Sequence, residues 1–196
     1  MAAAIGLVGG ALLGALIVLA IRFFSYHTAS VHYHANFGLY INGQREGFKS
    51  PFYYEEETAC STAGKMTPQQ RAHMHDQVND VIHVHDHAVT WQQFFENLGW
   101  AIDSQFIKTP QQLLTAGEAT RVTFILNGQV VFNIPNRVIG DRDRLLVDYG
   151  STAAADLQKE YQAVASTAAR YDISKDPASC GGSASTTTHD RLSHLF

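Results

Sequence analysis

The chain has 196 residues, 45% of them hydrophobic and 16% charged, which suits one globular domain with appendages and excludes disordered and collagenous classes. With 14 Lys and Arg against 18 Asp and Glu, a formal charge of −4, there is no polybasic stripe, and nucleic acid is excluded as a partner. Histidine is in excess instead: of ten residues, seven lie between His32 and His87.

From Met1 to Ile21 no side chain is charged. A helix of about 20 residues rises about 30 Å, the thickness of bilayer hydrocarbon, and no basic segment precedes the run as in a cleaved signal peptide. Residues 1–23 are therefore expected to form a transmembrane anchor with membrane lipid as partner. Gly6, Gly10 and Gly14 make two small-xxx-small steps, a face for close approach of a second helix. Arg22 follows the span and argues for the opposite orientation, but the α-amino group, the two cysteines and the long polar remainder favour an N-in topology. The expected location is the cytoplasmic (plasma) membrane, single-pass, with the soluble part on the extracytoplasmic side. Cys60 and Cys180 either pair, constraining the unfolded chain by about 2–4 kcal/mol, or stay as free thiols, and their spacing leaves both open.

Residues 24–150 read as a His-rich α+β domain. Val31–Ile41 is strand-like and ends at Asn42-Gly43, the dipeptide of a type I′ hairpin, with a return strand through Phe48. The same chemistry recurs at Val122–Leu126, Asn127-Gly128 and Gln129–Phe132. Between them Thr90-Trp-Gln-Gln93 is a capping box, followed by Trp91, Phe94, Phe95 and Leu98 at helical spacing and by Gly99 as a stop. Arg144–Tyr149 reads as a buried last strand ending at Gly150. The expected fold is a small, mainly antiparallel sheet with one packed helix, β-grasp-like, followed by a C-terminal helix. That amphipathic helix, residues 151–173, carries Leu157, Tyr161, Val164, Ala168 and Tyr171 as a narrow apolar stripe that packs on its own domain or meets a protein partner. Residues 174–196, with His189 and His194, read as a flexible tail.

Three segments carry His-x-His: His32-Tyr-His34, His73-Met-His75 and His83-Val-His85, the last extended to His87. On a strand, residues i and i+2 share a face, so two imidazoles converge on one ion, whereas on a helix they diverge. A hairpin joining the 73–75 and 83–87 segments would gather four or five imidazoles, and the first strand would add two. The expected metal ligands are His32, His34, His73, His75, His83, His85 and His87, enough for one site or two. Asp76, Asp80 and Asp86 are placed to fix ring tautomers or to offer oxygen. Imidazole-rich donor sets suit copper or zinc. Met74 points to the opposite strand face and is read as core.

The segments HYHANFGLYINGQ, HMHDQVNDVIHVHDHAVTWQQFFENLGW and FILNGQ…VIGDRDRLLVDYG, spanning Val31 to Gly150, resemble a family of single-span, His-rich extracytoplasmic proteins from candidate-phylum bacteria and ammonia-oxidising archaea. The resemblance implies the architecture but no activity. The second half also resembles β-grasp modules, although the Gly-Gly that ends sulfur carriers does not follow its last strand.

The leading expectation is a membrane-anchored extracytoplasmic protein that binds copper or zinc through these histidines. A metal-dependent hydrolase or oxidase is the alternative, with Glu55, Glu56 or Glu57 as general base, but no HExxH, Gly-x-Ser-x-Gly or P-loop supports it. No catalytic residue is assigned. The remaining alternative is an envelope structural or interaction module with a pH-sensitive His cluster.

Overall fold

The computed structural model describes residues 2–26, 31–54, 66–172 and 188–195, with side chains of the first helix described from residue 9 onward. His27, Glu55, Glu56, Glu57, Cys60 and Cys180 lie outside the described residues. The chain divides into two compact units, Met1–Ser30 with Gly181–Phe196, and Val31–Cys180.

The first unit contains helix α1 (Ala2–Ser25), whose described apolar side chains, among them Leu12, Leu16, Ile17 and Ile21, are exposed. Among the described residues no helix is long and apolar enough to cross a membrane. This corrects the expected transmembrane anchor and single-pass membrane location. Arg22 stands in the last turn of α1, so its run of uncharged side chains stops short of its end.

The second unit is α+β, built on a mixed sheet. Its strands are β1 (Tyr33–Ile41), β2 (Gln44–Arg45), β3 (Ala72–His73) and β4 (Val81–Val84). Helix α2 (Pro68–Arg71), which starts at a capping box of Thr67 and Gln70, leads into β3. Helix α3 (Trp91–Asn97) follows β4, starting at the Thr90–Gln93 capping box; Gly99 beyond it is left-handed, φ +76°. A separate three-stranded sheet comprises β5 (Ala101–Ile102), β6 (Phe106–Lys108) and β7 (Leu113–Thr115). Strands β8 (Arg121–Leu126), β9 (Gln129–Val131) and β10 (Arg144–Gly150) complete the main sheet in the order β3-β4-β1-β10-β8-β9, with β2 pairing the end of β1. Both Asn-Gly turns adopt positive φ at both residues, 51° and 77° at Asn42-Gly43 and 51° and 83° at Asn127-Gly128.

The sheet is mixed: five of its strand pairings are antiparallel, but at its centre β1 and β10 run parallel, from Asn36 opposite Arg144 to Ile41 opposite Tyr149. The chain crosses over through α3, the small sheet and the β8–β9 hairpin before β10 enters beside β1 in the same direction. Parallel central strands are covered on both faces, and β1 and β10 each have long runs of buried residues. Phe37, Leu39, Phe94, Phe95, Trp91 and Leu145 belong to the core on the α3 side. On the opposite side Tyr40, Ile125 and Leu146 pack with Leu157, Tyr161 and Val164 of the C-terminal segment.

That segment is not one helix but two, α4 (Ala154–Ala163) and α5 (Ala168–Tyr171), separated at Val164, which is extended at φ −64°, ψ 131°. Two side chains from the sheet enforce the break. Arg144 of β10 donates to the carbonyls of Tyr161 at 2.7 Å, Gln162 at 2.9 Å and Val164, closing the end of α4. Asn36 of β1 accepts at Oδ1 from the amides of Thr167 and Ala168, both at 2.8 Å, and so holds the start of α5. Gly38 lies beneath the break, where a Cβ would stand 3.0 Å from Val164 Cγ2. In the first unit, helix α6 (Thr188–Ser193) occupies part of the expected flexible tail. Arg191 donates to the carbonyls of Phe23 and Phe24, and His194 stacks on Tyr26 at 4.2 Å.

Beneath α4, Asp148 is buried on β10 and accepts from Thr152 Oγ1 at 3.0 Å. Burial, and then the Asp148 carboxylate, push Glu160 up to about 7; Asp148 is raised too, first by burial. Both shifts favour the protonated carboxyls in the folded chain, so their stabilisation is complete below the unfolded values near 4–4.5 and is lost as pH rises toward 7. Urea unfolding should show Glu160→Gln gaining about 1–2 kcal/mol relative to the parent between pH 5 and pH 8, the size expected after solvent screening. A difference between the two proteins that does not change with pH would contradict this shared-proton contact.

Candidate metal centre

Residue parity on β1 creates the site. Its odd positions, from Tyr33 through Ala35, Phe37 and Leu39, face the hydrophobic core, so the even positions, starting with His34 and Asn36, face the C-terminal segment. Strand register sets His34 opposite His83 across β1 and β4, and His73 opposite His83 across β3 and β4. His32 and His85 lie on the flanks of these strands, and His75 lies two residues beyond the end of β3. His34, His73, His75, His83 and His85 are all buried, and His32 is the more exposed member.

His83 occupies the middle. Its ring centroid lies 4.5 Å from that of His34, 3.8 Å from His75, 6.0 Å from His73 and 6.3 Å from His32. His85 stacks on His32 at 4.7 Å and on His73 at 5.0 Å. Six of the seven expected histidines are therefore gathered. His87 is exposed in the turn after β4, where its carbonyl accepts from Arg71. Met74 is buried in the core on the opposite face, as its parity requires.

Hydrogen bonds orient the rings. His34 Nδ1 lies 2.8 Å from Asp172 Oδ1, and His75 Nδ1 lies 2.7 Å from Asp76 Oδ2. A carboxylate only accepts, so each Nδ1 carries the proton and donates. His73 Nδ1 likewise donates to the carbonyl of Gln69 at 3.0 Å. The nitrogens left to face the interior come close together: His34 Nε2 and His75 Nε2 lie 3.0 Å and 3.2 Å from His83 Nδ1. His32, His34 and His83 each offer one ring nitrogen within 4.8 Å of the others, a group that could hold a metal ion.

The supports come from two loops and from α5. His75 begins a turn closed by Val78 N donating to His75 O at 3.0 Å, with Asp76 and Gln77 both left-handed at φ 55° and 56°. These are the angles of a type I′ turn without its usual glycine. At the other end of the site, Arg142 N donates to His34 O at 2.7 Å while its guanidinium donates twice to Asp172 Oδ2, at 2.9 Å and 3.1 Å. Burial alone would raise Asp172, but the bonds from His34 and Arg142 outweigh it and hold the carboxyl below its ordinary value. Tyr171 lies over the cluster, 5.7 Å from His34 and 5.6 Å from His83 between ring centroids. Burial, with the charges of Asp80 and Asp76, pushes its phenol above the ordinary range, so it faces the rings as a neutral group.

Of the carboxylates expected to support the histidines, only Asp76 meets a ring. Asp86 pairs with Arg71 at 2.7 Å and Asp80 with Arg45 at 3.5 Å. Asp172, Arg142, Tyr171 and Asn36 are contributors that sequence reasoning missed. Asp172 reaches His34 across 138 positions, and no local pattern marks it.

No protein-family model, curated protein or solved structure matches the chain. The meaning of the site rests on its own chemistry.

Asn36 carries α5, and α5 carries Tyr171 and Asp172. Besides accepting from α5, its amide donates to Asp80 O at 3.0 Å and to Thr167 Oγ1 at 3.1 Å. Asn36→Ala should lower stability by about 1–3 kcal/mol, the usual effect of losing a buried, fully used polar group. Hydrogen exchange should show the amides of residues 167–171 losing protection before those of β1. Equal loss of protection throughout the sheet would show that Asn36 does not act through α5.

Proposed function

We propose that the protein binds a transition-metal ion, copper or zinc, through its clustered imidazoles, for capture, delivery or a structural role. The observation that carries this reading is the convergence of ring nitrogens, with those of buried His34 and His83 and of the more exposed His32 mutually within 4.8 Å. Two metal–nitrogen bonds of about 2.0–2.1 Å meeting at a tetrahedral angle put their nitrogens about 3.3 Å apart. The separations of 3.0 Å and 3.2 Å around His83 Nδ1 are close to that value.

The donor chemistry supports a borderline ion. All gathered donors are imidazole nitrogens, which suit Zn²⁺ and Cu²⁺, and the nearest thioether, Met74, is on the other side of the sheet. Carboxylate partners at the far ring nitrogens of His34 and His75 are the arrangement that raises ligand basicity and fixes ring orientation in metal sites. An ion that binds the folded chain and not the unfolded one stabilises it by mass action, by about 2.7 kcal/mol at a hundred times Kd.

Metal analysis of the purified chain after exposure to Zn²⁺ or Cu²⁺, followed by desalting, should find about one equivalent or more, with a matching rise in melting temperature. His34→Ala combined with His83→Ala should abolish both, while His87→Ala and His194→Ala should leave both intact. Bound metal should be released as the pH falls, because protons compete for the ligand nitrogens. Retention below about 0.3 equivalents together with an unchanged melting temperature would reject the proposal.

A further inference from the structure

We infer that the ion is held first by His34 Nε2, His75 Nε2 and His83 Nδ1, and that Asp172 and Asp76 are the positioning residues that choose these nitrogens. The inference rests on the metal-binding reading above and makes it specific. His34 and His75 each donate from Nδ1 to a carboxylate, at 2.8 Å and 2.7 Å. Both rings therefore turn the lone pair of Nε2 inward. These two nitrogens lie 3.0 Å and 3.2 Å from the same atom, His83 Nδ1. A neutral His83 has one proton to place at Nδ1, and one N–H shared between two acceptors makes two weakened bonds.

A dication between the three nitrogens resolves that arrangement. It takes the lone pairs of His34 and His75, and it takes that of His83 once the His83 proton resides on Nε2, so no net proton need be released. Three imidazoles and two flanking carboxylates, Asp172 and Asp76, then surround the charge. His32 offers a nitrogen within 4.8 Å of His34 and His83 and supplies the fourth position. Its ring is stacked on His85 at 4.7 Å, at an interplanar angle of 10°.

The two carboxylates reach the site by independent routes. Asp76 arrives through two successive left-handed residues, Asp76 and Gln77, a backbone conformation that is unfavourable for non-glycine residues and persists where the surroundings hold it. Asp172 arrives at the end of α5 and is clamped by Arg142, whose own backbone is left-handed at φ 61° and bonds the His34 carbonyl. Two separately supported carboxylates on two rings whose Nε2 atoms both lie beside His83 Nδ1 are what fixed ligand tautomers require.

The test uses the full chain with Zn²⁺ alone, in competition with a chromophoric chelator, and long-range ¹⁵N NMR of the histidine rings without metal. Asp172→Asn and Asp76→Asn should each weaken Zn²⁺ binding by about 10–100-fold without changing its stoichiometry, the usual effect of removing such a carboxylate. Asp86→Asn, which touches Arg71 and no ring, should leave affinity unchanged. In the NMR spectra His34 and His75 should carry their proton on Nδ1. Asp172→Asn should disturb this at His34 only, and Asp76→Asn at His75 only. That readout does not depend on metal and would not move if the carboxylates merely stiffened the fold.

If the parent chain binds Zn²⁺ but His75→Gln binds it equally well, or the two Asp variants behave like Asp86→Asn, the ligand assignment is overturned while metal binding stands. Protonation of His34 or His75 on Nε2 in the parent also overturns it. Absence of Zn²⁺ binding by the parent overturns both readings.

Discussion

The structure depends on the burial of β1 from both sides. A strand alternates its side chains between two faces, and when both are covered each residue is committed to one of two environments. The odd residues of β1 enter an aromatic and aliphatic core shared with α3. The even residues need other solutions. His34 is placed among imidazoles, Asn36 takes hold of a helix, Gly38 leaves room for Val164, and Tyr40 packs under the C-terminal segment. A one-residue slip in register would move the imidazoles into the hydrophobic core and the aromatic rings into the cluster, so the core specifies the site.

Placing this many imidazoles in a buried setting is tolerable only when their polar atoms are engaged. The cluster does this by hierarchy. Outer nitrogens are tied to Asp172, Asp76 and the Gln69 carbonyl, while inner nitrogens face one another around His83. The same arrangement fixes the orientation of the rings in the folded chain.

Much of this was legible in the residues, because it depends on short-range rules. The Asn-Gly turns, the Thr90 capping box and the parity of the His-x-His pairs are local, and each is found where its chemistry requires. The exclusion of Met74 from the imidazole face also follows from parity. What was not legible is long-range. The parallel pairing of β1 with β10 depends on how the chain crosses over, which an apolar strand does not reveal by itself. The stripe from Leu157 to Tyr171 has helical spacing, yet Arg144 and Asn36 break it by offering its backbone better partners than a continuing helix would. His87 shares the parity of its neighbours, but β4 ends at Val84 and the chain turns away. Glu160 gave no sequence signal of its displaced protonation, since that arises from burial and then from Asp148 on a neighbouring element, both products of tertiary packing.

The span between His34 and Asp172 sets an order of events on a chain synthesised from its N-terminus. All six clustered histidines have emerged once His85 has been made, but β1 gains its parallel neighbour only after Gly150, and His34 gains its carboxylate only with the end of α5. A nascent chain therefore displays the imidazoles long before it can orient them. The order of synthesis thus separates the appearance of the rings from their fixing, which waits for Asp172.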